Sequence, residues 1–352
     1  MAFHYSFPAV EGLQAQHEYY IAMVPMGLLS KLFCDSEEYL LPEYRAQRSI
    51  NELRIPEIKD YILKNPTTYV FSALCASIDG AFRFVKSNLD EHLGILQVDM
   101  NAIILINDGQ HRRAAIEWAI KENPSLSFET IAIVFFKDKG LKRSQQMFAD
   151  LNKHAVKSSK SLSTLYDDRD ALSNAVKHVV TSIPFLDKYI DKEHDSLGKY
   201  SSKLFTLSNF LRANQRIFKK NTTITNYDTN FLVGYWRAIF GNIEEWALMD
   251  SKQLYKRSLK EDYILTLSVF INALGRLGSC IYNDGISFEI LSGLNSIDWL
   301  RSNQNWKGRI FNEQGKIIGN EDCIIKICNF LKISLGIALS KEEMAKENEI
   351  GR

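Results

Sequence analysis

The sequence predicts an α+β fold with two domains, an N-terminal α/β-like domain built on a mixed sheet and a mainly helical C-terminal domain. Up to about residue 160, apolar runs suited to strands alternate with segments in which apolar residues recur at helical spacing. From Ser161 onward the helical period dominates and strand signals nearly vanish. The boundary is predicted inside the polar stretch 153–160, which gives domains at 1–160 and 161–352.

The N-terminal domain is predicted to contain both strands and helices. Strand-like runs lie at 19–24, 68–78, 93–98, 102–106 and 130–136. Helical spacing occurs at 25–33, 50–63, 111–121 and 141–151. Pro56 stands inside the second helical segment, so the regular helix is predicted to open there. Asp99-Met100-Asn101 separates two strand-like runs and predicts a tight hairpin.

The C-terminal domain is predicted to be helical over most of its length. Helical periodicity occurs at 171–180, 204–216, 235–249, 263–277 and 323–339. A strand signal at 309–318, around Gly315, is the exception. The aromatic residues Phe205, Phe210 and Phe218 are expected to lie in the core.

Composition and charge narrow the classes of function. The chain has 352 residues, of which 45% are hydrophobic and 24% charged, as in a globular protein with a large core. The net charge of +1 means that any DNA contact must come from local clusters of Lys and Arg. One such cluster is the basic helix face formed by Lys252, Tyr255-Lys256-Arg257 and Lys260, whose simplest reading is solvated surface.

No feature of the sequence indicates a membrane or a metal framework. No apolar run approaches the roughly 18 residues that span a bilayer, and the start lacks a signal peptide, so a cytoplasmic protein without membrane contact is expected. The five cysteines are odd in number and form no Cys-x-x-Cys pair. This argues against a disulfide framework or a zinc site and favours reduced, mostly buried thiols.

The segment 103–116 is the most informative part of the chain. An apolar strand runs into Asp108-Gly109, and a helix begins at once with Gln110, His111, Arg112 and Arg113. Gly109 permits a sharp turn, and the first free amides of a helix favour an anion. Two arginines at the positive end of a helix dipole are unfavourable unless an anion lies beside them. The equal alternative is an ordinary strand–turn–helix whose arginines pair with carboxylates.

A family resemblance favours the first interpretation. Residues 108–112 spell DGQHR, the motif that names the DGQHR domain family, and with their strand they resemble the arginine motif of the ParB/sulfiredoxin-like fold. The segment 148–162 is similar to the second DGQHR-family block. Stretches of the C-terminal half resemble DNA sulfur modification proteins of the DndB type: Lys203–Leu207, Trp306–Arg309 and Leu331–Gly336.

The resemblance implies a set of residues that contact phosphate, nucleotide or DNA. They are Asp108, Gly109, Gln110, His111, Arg112, Arg113, Arg48, Asn152, Lys153 and Lys157. Asp108 and His111 are candidate catalytic residues, and Asp108 is the candidate metal ligand; a turn residue and a helix-start hydrogen bond are their structural alternatives. The ParB second motif has Glu-Asn and a downstream Arg where this chain has Asp150, Asn152 and Lys153. The reactive Cys of sulfiredoxin is absent from the motif, so a sulfiredoxin-type repair reaction is not expected.

Two classes of function follow from the resemblance. The first is a DNA-binding regulator or accessory protein of a bacterial DNA phosphorothioation system, which represses transcription of its own gene cluster. Its expected partners are promoter or modification-site DNA, other DNA sulfur modification proteins and a second copy of the chain in a homo-oligomer. The alternative is an enzyme, an NTPase or a nuclease, that uses Arg112 for phosphates and Asp108 for Mg²⁺ bound with a nucleotide triphosphate. The sequence contains no Walker lysine loop.

Overall fold

The computed structural model describes residues 3–33, 52–137, 146–147, 150, 158–198, 200–218 and 223–350. The chain divides into two compact units, Met1–Val156 and Lys157–Arg352. The division falls inside the polar stretch 153–160. The predicted α+β class is confirmed, because the first unit contains a mixed sheet and the second is mainly helical.

Within the described residues, the N-terminal unit forms a seven-stranded sheet. Its strands are β1 (His4–Gln14), β2 (His17–Pro25), β3 (Leu74–Asp79), β4 (Phe82–Lys86), β5 (Leu93–Asp99), β6 (Ile103–Asp108) and β7 (Thr130–Lys137). The strand order is β4-β5-β1-β2-β7-β3-β6, and of these pairs β3 with β7 is parallel whereas the others are antiparallel. The helices of this unit are α1 (Leu29–Leu32), α2 (Ile55–Lys64) and α3 (Gln110–Glu122). β1 and β4 carry no clear sequence signal, and the run 68–78 becomes a strand only from Leu74.

Short connections force this sheet to curl. β3 and β4 are joined by only two residues, although five strand spacings separate them in the strand order. In a flat sheet they would lie about 24 Å apart, whereas the chain from Asp79 to Phe82 reaches at most about 11 Å. The two ends of the sheet therefore meet at one corner, in the manner of a half-open barrel.

The predicted hairpin between β5 and β6 is wrong. A turn does form, with the amide of Ala102 donating to the carbonyl of Asp99 at 3.0 Å. However, β5 pairs with β1 and β4, whereas β6 pairs with β3 at the other end of the sheet. A turn is set by local residues, but the choice of strand partner depends on the hydrophobic faces of distant strands.

β3 is buried along nearly its whole length. Its residues Leu74–Ile78 are all buried, unlike the alternating pattern of β2 and β7. One face of the curled sheet contributes to a core that includes Phe7, Leu96 and Phe135. A strand that lies between two neighbours and is covered on both faces is expected to be almost continuously apolar, and Ser77 is the one polar residue of this run.

The C-terminal unit is a helical assembly. Its helices are α4 (Lys160–Tyr166), α5 (Ala171–Ser182), α6 (Pro184–Tyr189), α7 (Leu207–Gln215), α8 (Asn226–Gly241), α9 (Glu244–Asp250), α10 (Lys256–Asp262), α11 (Ser268–Asp284), α12 (Glu321–Ser334) and α13 (Lys341–Glu347). A two-stranded parallel ribbon joins β8 (Ile190–Asp191) to β9 (Phe205–Thr206), which the sequence did not indicate. The predicted helix 235–249 is two helices, and the strand expected at 309–318 is a turn with isolated bridges around Gly315.

The core of this unit is rich in aromatic side chains. Trp236, Trp246, Trp299 and Trp306 are fully buried, and the indole nitrogen of Trp236 donates to Asn214 at 2.8 Å. The predicted core positions Phe205, Phe210 and Phe218 are buried as expected. Cys323 and Cys328 are buried free thiols here, as Cys75 is in the first unit, whereas Cys280 is partly exposed and Cys34 lies outside the described residues. No helix in the described ranges is both long and apolar enough to cross a membrane.

Two of the stretches that carry the family resemblance, Trp306–Arg309 and Leu331–Gly336, form ion pairs with α13. Lys332 donates to Glu343 at 2.7 Å, and both side chains are nearly buried. Arg309 binds Glu347 through both terminal nitrogens and lies 5.3 Å from the ring of Phe330. Both cations therefore have structural roles.

Close packing of α7 against α11 generates a test of this core. A Cβ at Gly275 would lie 2.7 Å from the carbonyl carbon of Ala213. We therefore expect Gly275→Ala to lower the free energy of unfolding by about 1–3 kcal/mol through overpacking. Gly241 ends α8 and has open space around it, so Gly241→Ala is expected to be neutral or stabilising by up to about 1 kcal/mol. Urea unfolding of both variants checks this; equal destabilisation would contradict the close packing.

Candidate functional site

The DGQHR turn is a strand-to-helix junction with a left-handed glycine at its centre. β6 ends at Asp108, Gly109 has φ = 98°, and α3 begins at Gln110. A Cβ at Gly109 would collide with the side chain of Leu74 and lie 3.1 Å from a terminal nitrogen of Arg112. Both the backbone conformation and the lack of space therefore require glycine here.

Arg112 joins the DGQHR turn to the segment that precedes β3. Its Nη2 donates to the Asp108 carboxylate at 2.6 Å, one helical turn back. Its Nη1 donates to the carbonyl oxygens of Ser72 at 2.6 Å and Ala73 at 3.0 Å, and to the Ser72 hydroxyl. We call this arrangement the Arg112 clamp: it joins the residues before β3 to the start of α3.

The clamp agrees with the alternative interpretation of the sequence, in which Arg112 pairs with a carboxylate rather than with a bound anion. The side chain is 18% exposed, against 44% for Asp108. A phosphate at this point would have to share the guanidinium with Asp108 and Ser72. Direct phosphate contact by Arg112 stays a prediction.

The other motif residues surround the start of α3. Arg113 is buried and its Nε lies 3.4 Å from Glu117, one turn further along the helix. Gln110 and His111 are half-buried, and both take part in interactions with other residues. The structure thus places Asp108 to Arg113 together in one turn. Their predicted roles in catalysis and phosphate binding remain predictions.

A buried polar group behind the turn was not recognised from the sequence. Asn107, 2% exposed, donates through Nδ2 to the hydroxyl of Ser77 at 2.6 Å. Burial, followed by the nearby charge of Asp108, raises the pKa of the Cys75 thiol to about 12, although a hydrogen bond with Asn107 opposes the shift. Cys75 is therefore a protonated, unreactive thiol at neutral pH. The sequence signal for this buried group was the presence of Ser77 and Asn107 inside the otherwise apolar runs 74–78 and 103–107.

The predicted Mg²⁺ with a nucleotide triphosphate at Asp108 remains a prediction. The Asp108 carboxylate already accepts from Arg112, so a cation there would have to displace the guanidinium. No group of three His, Cys, Asp or Glu side chains suited to a metal occurs among the described residues. Mg²⁺ bound with a nucleotide uses one or two carboxylates beside phosphate and water oxygens, so Asp108 would serve as a ligand only after releasing Arg112.

Most of the second block lies outside the described residues. Asn152, Lys153 and Lys157 of this block, and Arg48 far earlier in the chain, lie outside the described residues, so the structure places none of them. The described end of the block forms the start of α4, where Ser159 caps the helix by accepting from the amide of Leu162 at 3.0 Å.

Asp195 also caps the N-terminus of α4. Its carboxylate accepts from the amides of Lys160 and Ser161 at 2.8 Å each. Although partial burial works in the opposite direction, these amides hold the pKa of Asp195 at about 2. Ser161 donates its hydroxyl to the carbonyl of His194 at 2.7 Å. The hydroxyl groups of Ser159 and Ser161 therefore stabilise the start of this helix.

The Arg112 clamp can be tested through local stability. Arg112→Ala leaves two carbonyls and a carboxylate without their donor, so we expect it to destabilise β3 by about 2–4 kcal/mol. Arg83 is an exposed arginine of β4 that donates to Gln97, and Arg83→Ala is expected to change stability by less than about 0.5 kcal/mol. Hydrogen exchange of the β3 amides measures both. Unchanged protection in Arg112→Ala would refute the clamp.

Comparisons with known proteins agree with the predicted family. A curated relative, the SPbeta prophage-derived uncharacterized protein YopQ of Bacillus subtilis (strain 168), is 25% identical over 269 residues, which are 73% of this chain and 57% of the relative. The chain thus spans little more than half of that relative's length. No solved structure matches, so the likeness to the ParB/sulfiredoxin fold stays a prediction. The family model described as DndB, DNA-sulfur modification-associated, matches residues 7–338. Since that range is nearly the whole chain, the chain belongs to the DndB family of DNA-sulfur modification-associated proteins.

Proposed function

We propose that this protein is a DNA-binding regulator or accessory protein of a bacterial DNA phosphorothioation system that acts in the cytoplasm and represses its own gene cluster. The observation that carries the proposal is the family match over residues 7–338. In phosphorothioation, sulfur replaces a non-bridging oxygen of the DNA phosphate, so recognition of the DNA backbone suits a protein of such a system. Other DNA sulfur modification proteins are the further partners under this proposal.

The charge distribution supports local rather than general contact with DNA. With a net charge of +1 the chain has no general attraction for DNA, so the contact must come from particular basic surfaces. We place one contact at the DGQHR turn, where the first amides of α3 point away from the helix and Arg112 is close by. Asp108 opposes this contact, because its carboxylate repels a phosphate and occupies one edge of Arg112.

Binding to its own promoter tests the regulator proposal directly. We expect the protein to bind a duplex from upstream of its gene cluster more tightly than a shuffled duplex of the same length and composition. The difference should persist at about 100 mM salt, where non-specific backbone binding weakens. Fluorescence anisotropy titration measures both duplexes. Equal affinity for the two duplexes would overturn the regulator.

A phosphorothioated copy of the same duplexes separates the regulator from the accessory role. A regulator binds its promoter whether or not sulfur is present, whereas an accessory protein of modification is expected to prefer one form of the backbone in any sequence. Equal affinity for all four duplexes would contradict both roles.

Removing the charge of Asp108 tests contact at the DGQHR turn. Asp108→Asn keeps an oxygen that accepts from Arg112, so the turn should remain folded while a phosphate meets one less negative charge. We expect DNA affinity to rise about threefold to tenfold, as for about 1 kcal/mol of repulsion between charges near 4 Å in water. Arg112→Lys should lower it, since lysine lacks the planar fork.

Asp90→Asn is the matched control. Asp90 is an exposed residue of the same unit whose carboxylate accepts from the amide of His92 at 2.7 Å, so its substitution makes the same change in net charge away from the motif. If Asp108→Asn and Asp90→Asn have the same DNA affinity, the DGQHR turn is not part of the DNA interface.

A further inference from the structure

A basic pocket lies in the C-terminal unit, away from the DGQHR turn in the sequence. It has a volume of about 470 Å³ and is lined by residues of α10 together with Leu197, Gly198, Tyr200, Ser201, Leu204, Thr266, Leu267 and Arg301. Its cations are Lys256, Arg257, Lys260 and Arg301, with Glu261 as the carboxylate among the lining residues. Part of this lining is the basic face that the sequence suggested to be solvated surface. Arg301, some 40 residues further along the chain, was not associated with it.

Three of these cations are held by carbonyl groups. Lys256 Nζ donates to the carbonyl of Ser202 at 2.9 Å, and Lys260 Nζ donates to that of Ser201 at 2.7 Å. Arg301 donates to the carbonyls of Lys260 at 2.6 Å and Tyr263 at 3.0 Å. These bonds fix the positions of the cations but do not neutralise them.

No carboxylate of the described residues lies within 4.0 Å of the charged groups of Lys256, Lys260 or Arg301. Glu261 is bound to Arg257, at 3.0 Å. Partly buried cations without a counter-charge are unfavourable. Burial and the neighbouring Lys256 lower the pKa of Lys260, and burial lowers the pKa of Arg301 although the charges of Asp262 and Glu261 oppose the shift. A bound anion would supply the missing charge.

The remaining walls of the pocket are largely apolar. Leu197, Leu204 and Leu267 line it, and the ring of Tyr200, 90% exposed, is also part of the lining. A cluster of cations beside leucines and an exposed aromatic ring suits a ligand that is anionic at one end and flat and apolar at the other. Nucleotides have this chemistry, and proteins that bind single strands combine basic grooves with aromatic rings in the same way. The volume is within the range of small-ligand sites.

We propose that this pocket binds a nucleotide, with its phosphate against Lys256, Lys260 and Arg301 and its base against the leucines and Tyr200. The nucleotide is either free in solution or one unit of a DNA strand, because both present the same phosphate and base. This inference does not depend on the regulator proposal.

Binding of two defined probes tests the pocket. The probes are dAMP, followed by calorimetry, and a fluorescein-labelled single-stranded 12-nucleotide oligomer, followed by anisotropy. Lys256→Gln/Lys260→Gln removes two cations, and we expect at least about a tenfold loss of affinity for whichever probe binds. The matched control is Lys316→Gln/Lys341→Gln, which removes two exposed lysines of the same unit and should leave affinity within about twofold.

Each outcome decides the proposal. Saturable binding of dAMP that the pocket variant loses supports a free-nucleotide site, and binding of the oligomer alone supports a strand site. Absence of binding to both probes, or equal losses in the pocket and control variants, overturns the pocket. So does a poly-glutamate peptide that binds as tightly as dAMP, since this would assign the cations to an acidic protein partner.

Two further results keep the test independent of folding and of promoter binding. If the double variant fails to fold, Arg257→Gln removes an exposed cation of the same lining and should still lower affinity. Loss of dAMP or oligomer binding with intact promoter binding means that the pocket is a separate site from the regulator surface. Promoter binding that fails in the wild type while dAMP binds refutes the regulator and leaves the pocket.

Discussion

The hydrogen bonds of the Arg112 guanidinium are the interaction on which the junction of sheet and helix in the N-terminal unit depends. Its fixed fork of donors reaches a carboxylate on one side and two backbone carbonyls on the other, which a lysine cannot reproduce. The carbonyls immediately precede β3, the buried strand between β6 and β7. Because the clamp secures β3 at the point where α3 begins, it joins the sheet to the helix that carries the rest of the DGQHR motif.

The clamp gives physical reasons for several letters of that motif. Gly109 is required because the turn is left-handed and Leu74 occupies the space of a side chain. Asp108 and Arg112 are required together, one helical turn apart, to close the ion pair. The same geometry places the start of α3 beside the arginine. Under the proposed DNA contact at this turn, Asp108 is the group that limits binding.

Comparison of the cations in the C-terminal unit separates those that serve the fold from those suited to a ligand. Lys332 and Arg309 are nearly buried and each is bound to a glutamate. Lys256, Lys260 and Arg301 are partly buried and donate to backbone carbonyls, and Lys256 also lies over the ring of Tyr189. The first two cations form ion pairs with carboxylates, whereas the other three form none within 4.0 Å among the described residues. This contrast, rather than the number of basic residues, is the reason to propose an anionic ligand for the pocket.

The sequence by itself determined what local periodicity and turn chemistry encode. It located β2, β7, α3 and the helical nature of the second half, as well as the sharp turn at Gly109, since each depends on neighbouring residues. The tertiary structure alone decided strand partners, because the Asp99–Ala102 turn is compatible with a hairpin and with strands at opposite ends of a curled sheet. It also decided the role of charge. Whether Arg112 meets a phosphate or a backbone carbonyl, and whether Lys260 joins Arg301, depends on residues about 40 positions away, and no local pattern specifies a contact over that distance.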